Sequence, residues 1–343
     1  MQLNKCTFES VPRGFIPIAK AGEGACADVF LCLLNTSSSL QWAQKDPLSA
    51  LVAVKVYKDT APSVRKLLQG SIERELTTFQ FLKKHWYEEG AEHFIQLLSF
   101  SSINDNENTE SPRWLSTRAV LGSTTLSTVT STFFHANTTV PEPFIWHTFL
   151  QLSSALLFLT SHSIIHGDLH SRNVLLDPLH RHNSGFPNLV IIDFGSSEEV
   201  GEGEEDTLHQ YNTTDLCDLT LSLCSEMYTC SAEHAIMHPY RLWNNLGAEE
   251  LEYVECRVER CAHSEDFLEL LRACYLRVRH KNNVDVRCLR GRFEESARKG
   301  RDQMGGEALG VFESVVVNGA MVGVMEAEER VRVVLKGLDT IES

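Results

Sequence analysis

Apolar and polar positions are spaced differently in the two halves of this chain. Phe15–Ala19 and Val29–Leu34 read as strands around a glycine-containing turn, and Leu51–Val56 is a nearly continuous apolar run of the buried-strand type. The polar stretch Asn35–Pro47 between them reads as a long surface loop. From Ser63 to Lys84 the period changes, and Leu67, Leu68, Ile72, Leu76, Phe79 and Leu82 fall on one side of a helix. Ile95–Phe100 and Trp114–Leu121 predict further strands, with polar Ser102–Pro112 as a loop between them. Ser123–Val140 predicts a short helix and a loop. Pro141–Ser161 predicts a strong helix carrying Phe144, Ile145, Phe149, Leu152, Leu156 and Leu157. Two short apolar runs follow, Val174–Leu176 and Leu189–Ile192, joined by a loop with Gly185 and Pro187. From Thr213 the pattern is mostly helical, although Arg290–Arg301 is polar enough to read as a linker before helical spacing resumes at Ala327–Leu338.

Strands first and helices afterwards predict an α+β chain with two lobes and a border near Leu121–Thr124. The expected division is a β-rich N-lobe over residues 1–121, a helical C-lobe over 122–283 and a separate helical tail over 284–343. At 343 residues the chain is long enough to bury a sizeable core.

Charge narrows the function classes. The net charge of -15, from 46 acidic and 31 basic residues, is opposite in sign to the usual nucleic-acid footprint and offers nothing to an anionic membrane surface. No run of about 18 apolar residues is present; the nearest, Leu309–Val324, is interrupted by Glu313 and Asn318. Met1–Ser10 lacks the apolar segment of a secretory leader. The ten cysteines form no C-x-x-C pair, the usage of reduced thiols. An intracellular protein, cytoplasmic or nuclear, is the expectation; nothing in the sequence sets its oligomeric state.

The candidate chemistry is concentrated in a few short runs. Gly22 and Gly24, two apart between strands, let backbone amides approach a polyphosphate without Cβ clashes. Lys55 lies inside the apolar strand Val52-Ala53-Val54-Lys55, where an unpaired ammonium is costly. Glu75, on the helix that follows, is a partner for it. The most specific run is His166-Gly-Asp-Leu-His-Ser-Arg-Asn173, with Ile191-Ile-Asp-Phe-Gly195 after it. One carboxylate, Asp168, can orient an attacking hydroxyl, while Asn173 and Asp193 can hold magnesium against phosphates. Such catalysis is mostly positioning and charge neutralisation.

On these motifs, in this order, the sequence resembles the eukaryotic protein kinase superfamily over roughly residues 15–280. The resemblance implies a two-lobed fold, ATP and Mg²⁺ as cofactors, and a protein substrate. Gly22, Gly24 and Val29 then match the glycine-rich loop. Lys55 matches the phosphate-binding lysine and Glu75 its helix partner. Ala53 and Leu175 match the residues that sandwich adenine, Asp168 the catalytic aspartate, and Asn173 and Asp193 the metal ligands.

Several positions depart from the family pattern. Ala27 replaces the third glycine. Gly167 stands where an arginine usually senses a phosphorylated activation loop, and His170 stands in place of a lysine. The latter is similar to the loop of haspin-like kinases and to H-G-D-L-H in aminoglycoside phosphotransferases. There is no A-P-E. Asp215 or Asp218 resembles the aspartate that anchors the catalytic loop, which makes the activation segment about twenty residues long; its acidic part, Gly201–Asp206, reads either as a solvated loop or as an attractor of basic substrate peptides. A serine/threonine-type protein kinase is the leading expectation. The alternatives are a small-molecule kinase, which Gly167 and His170 favour, and a non-catalytic pseudokinase, against which all five central residues are retained.

Overall fold

The computed structural model describes residues 8–58, 62–101, 112–122, 124–136, 138–225, 264–280, 284–302 and 306–342. They fall into two compact units. Met1–His85, Ile95–Ser123 and Ala320–Ser343 form the first; Trp86–Phe94 and Thr124–Gly319 form the second.

The first unit is built on a five-stranded antiparallel sheet. Its strands are β1 (Phe15–Glu23), β2 (Ala27–Leu34), β3 (Leu51–Tyr57), β4 (Leu97–Phe100) and β5 (Trp114–Arg118), in the order β1-β2-β3-β5-β4. Alternation sorts its side chains by face. Phe15, Phe30, Cys32, Val52 and Val54 form one apolar cluster, and Ile18, Leu31, Leu33 and Leu51 belong to another. The expected loop at Asn35–Pro47 contains a helix, α1 (Ser37–Lys45), capped by the Thr36 hydroxyl and anchored by fully buried Ala43. One small buried residue leaves no apolar stripe to read, which is why the sequence pattern hides this helix. Helix α2 (Pro62–Lys84) buries Ile72, Glu75, Leu76, Phe79 and Leu82. The loop expected at Ser102–Pro112 lies almost wholly outside the described residues.

In the second unit, β6 (Thr124–Thr125) leads into α3 (Leu126–His135) and α4 (Glu142–Ser161). β7 (Ile164–Ile165) precedes the hairpin of β8 (Val174–Arg181) and β9 (Pro187–Ile191), and β10 (Glu198–Glu199) pairs back with β7. Helices α5 (Glu205–Ser225), α6 (Glu265–His280), α7 (Val286–Asp302) and α8 (Gly306–Phe312) follow. The core gathers aromatic rings around α4: Phe144 lies 4.2 Å from Phe312 and 5.3 Å from Phe186, and Trp146 lies 5.3 Å from Phe267.

The tail expected to stand apart from Val284 is instead divided between the units. Arg290–Arg301 is no linker but most of α7, which buries Leu289, Phe293 and Ala297 at helical spacing. A stripe only one residue wide is masked by the charges around it. After a π-helical turn at Glu313–Val317, α9 (Asn318–Glu342) buries Val324, Ala327, Val331 and Leu335 in one cluster with Ile18, Leu31, Leu33 and Leu51 of the first unit's sheet. By length and composition, two helical stretches, Glu142–Ser161 and Ala308–Leu338, could cross a membrane. Most of the first is buried within its unit.

Candidate active site

The predicted residues gather in two groups, one in each unit. In the first, strand register aligns the glycine-rich turn with the lysine strand: Gly22 pairs with Val29, and Val29 pairs with Lys55. The Gly24 amide donates to the Ala27 carbonyl at 2.9 Å and closes the turn. Lys55 donates to both Glu75 carboxylate oxygens, at 2.6 and 2.9 Å. Glu75 is only 3% exposed, and a carboxyl group buried so deeply needs hydrogen-bond partners of this kind. A third bond comes from the Tyr57 hydroxyl, 2.8 Å from Glu75 Oε2. Tyr57 was not a sequence candidate; it lies two residues beyond Lys55 on the same strand face, a spacing that offers the only sequence signal. Ala53, half-buried, pairs with Leu31 and Thr117.

In the second unit, the loop between β7 and β8 is folded by its own backbone and histidines. The Asp168 amide donates to His166 Nδ1 at 3.3 Å, and the opposite ring nitrogen lies 3.2 Å from the Ile192 carbonyl. Both contacts are satisfied by a neutral ring carrying its proton on Nε2. Burial pushes His166 down to about 4, against the pull of the Ile192 carbonyl and the Asp193 charge. Asn173 Nδ2 donates to the Asp168 carbonyl at 2.9 Å, which leaves Oδ1 as the atom with ligating capacity. The Ile192 amide donates to the Asn173 carbonyl at 2.9 Å, so Asp193 follows directly on a residue tied to Asn173. Asp193 itself is left-handed, with φ of 67°. A non-glycine residue held there is uncommon, and such positions concentrate at functional sites. Phe194 is fully buried, 4.8 Å from the His166 ring and 5.7 Å from Phe94.

His170 takes the Arg172 amide on Nδ1 at 3.2 Å and sets Nε2 3.7 Å from Asp168 Oδ2. Burial lowers its pKa, against the Asp168 charge, which raises it. Leu175 is half-buried on β8, opposite Thr125 and Val190. The oxygen donors Asn173 Oδ1 and the Asp193 carboxylate are of the hard type that magnesium takes, so the residues present fit that ion.

Two expectations about the following segment change. Helix α5 begins at Glu205, so nine residues rather than about twenty separate it from Gly195. The sequence pattern already reads as helical from Thr213, and the turns before it escape notice because buried Asn212 occupies a position that the apolar pattern leaves blank. Asn212 ties α5 to the stretch before the Asp168 loop: its Nδ2 donates to the Ile164 carbonyl at 3.1 Å and to the Thr160 hydroxyl at 2.9 Å. Asp215 remains close in electrostatic terms. Burial pushes its carboxyl well above the usual range, and the Asp218 and Asp168 charges push the same way.

Gly167 has a structural reason beyond the missing arginine. Its φ is +79°, and a Cβ there would overlap the Ser196 carbonyl. The segment after D-F-G is fastened at several further points: the Ser197 hydroxyl donates to the Phe194 carbonyl at 2.7 Å, and the Val200 amide donates to the Ser163 carbonyl at 2.7 Å. Gly167→Ala should therefore cost about 1–2 kcal/mol from the backbone conformation alone and should displace Ser196. Gly167→Arg should be worse. Thermal unfolding beside an activity assay checks this, and an unchanged melting temperature and rate for Gly167→Arg would contradict it.

Buried histidines also set an acid limit. His147 is fully enclosed and pushed down to about 3 by burial, against its bond to the Pro187 carbonyl at 3.0 Å. With His166, two rings are neutral in the fold yet take protons once unfolded, below the ordinary 6.5. Their contribution is complete above that value and falls as pH drops toward 4, by about 1.4 kcal/mol per pH unit for each ring. Urea midpoints from pH 7 to pH 5 measure this slope. His147→Gln should flatten it by one ring's share, and an unaltered slope would refute the assignment to His147.

Comparison with known proteins gives the family. A family model described as protein tyrosine and serine/threonine kinase matches residues 17–218, and the chain belongs to that family. It is 29% identical over 194 residues to serine/threonine-protein kinase ULK3 of Mus musculus, covering 56% of this chain and 33% of that protein. The Homo sapiens protein of the same name is 28% identical over the same shares. The chain thus spans about a third of the length of the curated relatives it matches.

Proposed function

We propose that this chain is an ATP- and magnesium-dependent kinase that transfers the γ-phosphate to a serine or threonine hydroxyl of a protein. The observation that carries the reading is the pairing of Lys55 with buried Glu75 at 2.6 Å in a member of this family that also keeps Asp168, Asn173 and Asp193. The relatives named serine/threonine-protein kinase support the choice of acceptor.

Lys55, steadied by Glu75 and Tyr57, would hold the phosphates, with the Gly22 and Gly24 backbone over them and Ala53 and Leu175 against adenine. Magnesium, when bound, neutralises phosphate charge, and Asn173 Oδ1 and the Asp193 carboxylate would ligate it. Asp168 would orient the acceptor hydroxyl and take its proton as the oxygen bonds to the γ-phosphorus and the bond to the bridging oxygen of ADP breaks. His170 would place an N–H donor beside Asp168, where the family usually has a lysine. The substrate is expected to carry basic residues, because Glu198, Glu199, Glu202, Glu204, Glu205 and Asp206 are all exposed in the stretch that begins three residues after Gly195.

A small-molecule acceptor is the second reading, favoured by the nine-residue span between Gly195 and α5. Transfer from labelled ATP should be run side by side on a basic protein, casein and an aminoglycoside panel. Label in the basic protein supports the proposal, and label in an aminoglycoside alone selects the second reading. ATP binding without transfer to any acceptor would make the chain a pseudokinase.

A further inference from the structure

The glycine-rich turn of the first unit is fastened by one residue that no motif contains. Lys58 lies just past β3, three residues beyond Lys55. Its amide donates to the Cys26 carbonyl at 2.9 Å, and its ammonium donates to the Gly24 carbonyl at 2.7 Å. Backbone and side chain of a single residue thus hold two carbonyls of the same turn. The ammonium also meets Asp28 Oδ1 at 3.3 Å and Glu23 Oε1 at 3.8 Å. Lys20 completes a neutral set of four charges, 2.7 Å from Glu23 and 3.2 Å from the same Asp28 oxygen. Burial alone would raise the Asp28 carboxyl, yet the two ammonium groups bring it below its ordinary value.

An isolated exposed ion pair contributes little. This cluster differs in two respects: its bond from the Lys58 ammonium to the Gly24 carbonyl fixes chain conformation, and two cations converge on one buried carboxylate oxygen. Gly22 and Gly24 bring the conformational freedom that close approach to a polyphosphate requires, and that freedom is lost again when a ligand orders the turn. Restraint before binding lowers that cost. We infer that Lys58 is a positioning residue that holds the glycine-rich turn in its nucleotide-ready conformation before the nucleotide arrives. The inference rests on the nucleotide reading given under the proposed function. It implies that Lys58 acts on ATP affinity rather than on the transfer step.

The test uses the full chain with Lys58→Met, which keeps much of the stem and removes the charge, and Lys58→Arg, which keeps the charge. Hydrogen exchange over residues 22–29, measured without nucleotide, reports the turn directly. Lys58→Met should speed exchange there, raise KM for ATP about fivefold, and leave kcat and the melting temperature near wild type. Lys58→Arg should recover most of the affinity. Unchanged exchange in Lys58→Met would overturn the inference, as would faster exchange with an unchanged KM, or equal losses in kcat and melting temperature. If wild type binds no nucleotide, the functional reading falls and the positioning role with it; the exchange rates, which need no nucleotide, distinguish that failure from a failure of the restraint itself.

Discussion

Asp168→Asn is expected to lower phosphoryl transfer by about 10² to 10⁴-fold while leaving magnesium-dependent nucleotide binding nearly intact. Asp193→Ala should abolish that binding. The two carboxylates are separable because the fold uses them differently. The Asp168 side chain is 55% exposed, and the bonds that shape its loop run through its amide and carbonyl, to His166 and from Asn173. Replacing the carboxylate by an amide therefore keeps the loop and removes only the charge and the proton acceptor. Asp193 is half-buried in a left-handed conformation directly after the residue tied to Asn173. Its carboxylate would ligate the metal. Equilibrium binding of ATP with and without magnesium, beside single-turnover rates, separates these effects. Wild-type turnover by Asp168→Asn would remove the role given to Asp168, and retained magnesium dependence in Asp193→Ala would remove the ligand assignment.

The parts of this molecule that were readable in the sequence are those where one physical demand dominates. β3 is legible because four apolar residues in a row, Leu51 to Val54, need burial, and Lys55 stands out against them because a charge there needs a partner. The H-G-D-L-H-x-x-N loop and D-F-G made the kinase family legible, and the family model matches residues 17–218, which contain both. The remainder depended on contacts between distant residues. Helix α1 has a single buried residue, the part of α5 before Thr213 buries Asn212 rather than an apolar residue at its close, and α7 hides Leu289, Phe293 and Ala297 among charges. Tyr57 and Lys58 carry no motif at all, and their importance appears only once Glu75 and the Gly24 carbonyl are found beside them. Gly167 reads in the sequence as the loss of an arginine, whereas in the fold any Cβ there would collide with the Ser196 carbonyl unless Ser196 moved.

The same distinction makes the C-terminal helix the most consequential element that the sequence left without a role. Val324, Ala327, Val331 and Leu335 fall on one side of α9 and share a core with Ile18, Leu31, Leu33, Leu51 and Leu121. Val331 is fully buried, while Val333, two residues away, is 55% exposed on the other side. Burial of a Val or Leu side chain is worth about 1.5–3 kcal/mol, so this row represents a large part of the stability of a small sheet. Deleting residues 320–343 should therefore uncover the face of β1, β2 and β3 and, with it, destabilise the strands that carry Gly22, Val29 and Lys55. Val331→Asp tests this without truncation, because a carboxylate in that core should cost about 3 kcal/mol or more. Val333→Asp makes the same chemical change on the exposed side and should stay within about 0.5 kcal/mol of wild type. Thermal unfolding of the three variants, followed by far-ultraviolet circular dichroism, should rank the truncation and Val331→Asp far below Val333→Asp. If Val331→Asp melts with wild type, the helix is not part of the core that supports the glycine-rich turn and the lysine strand.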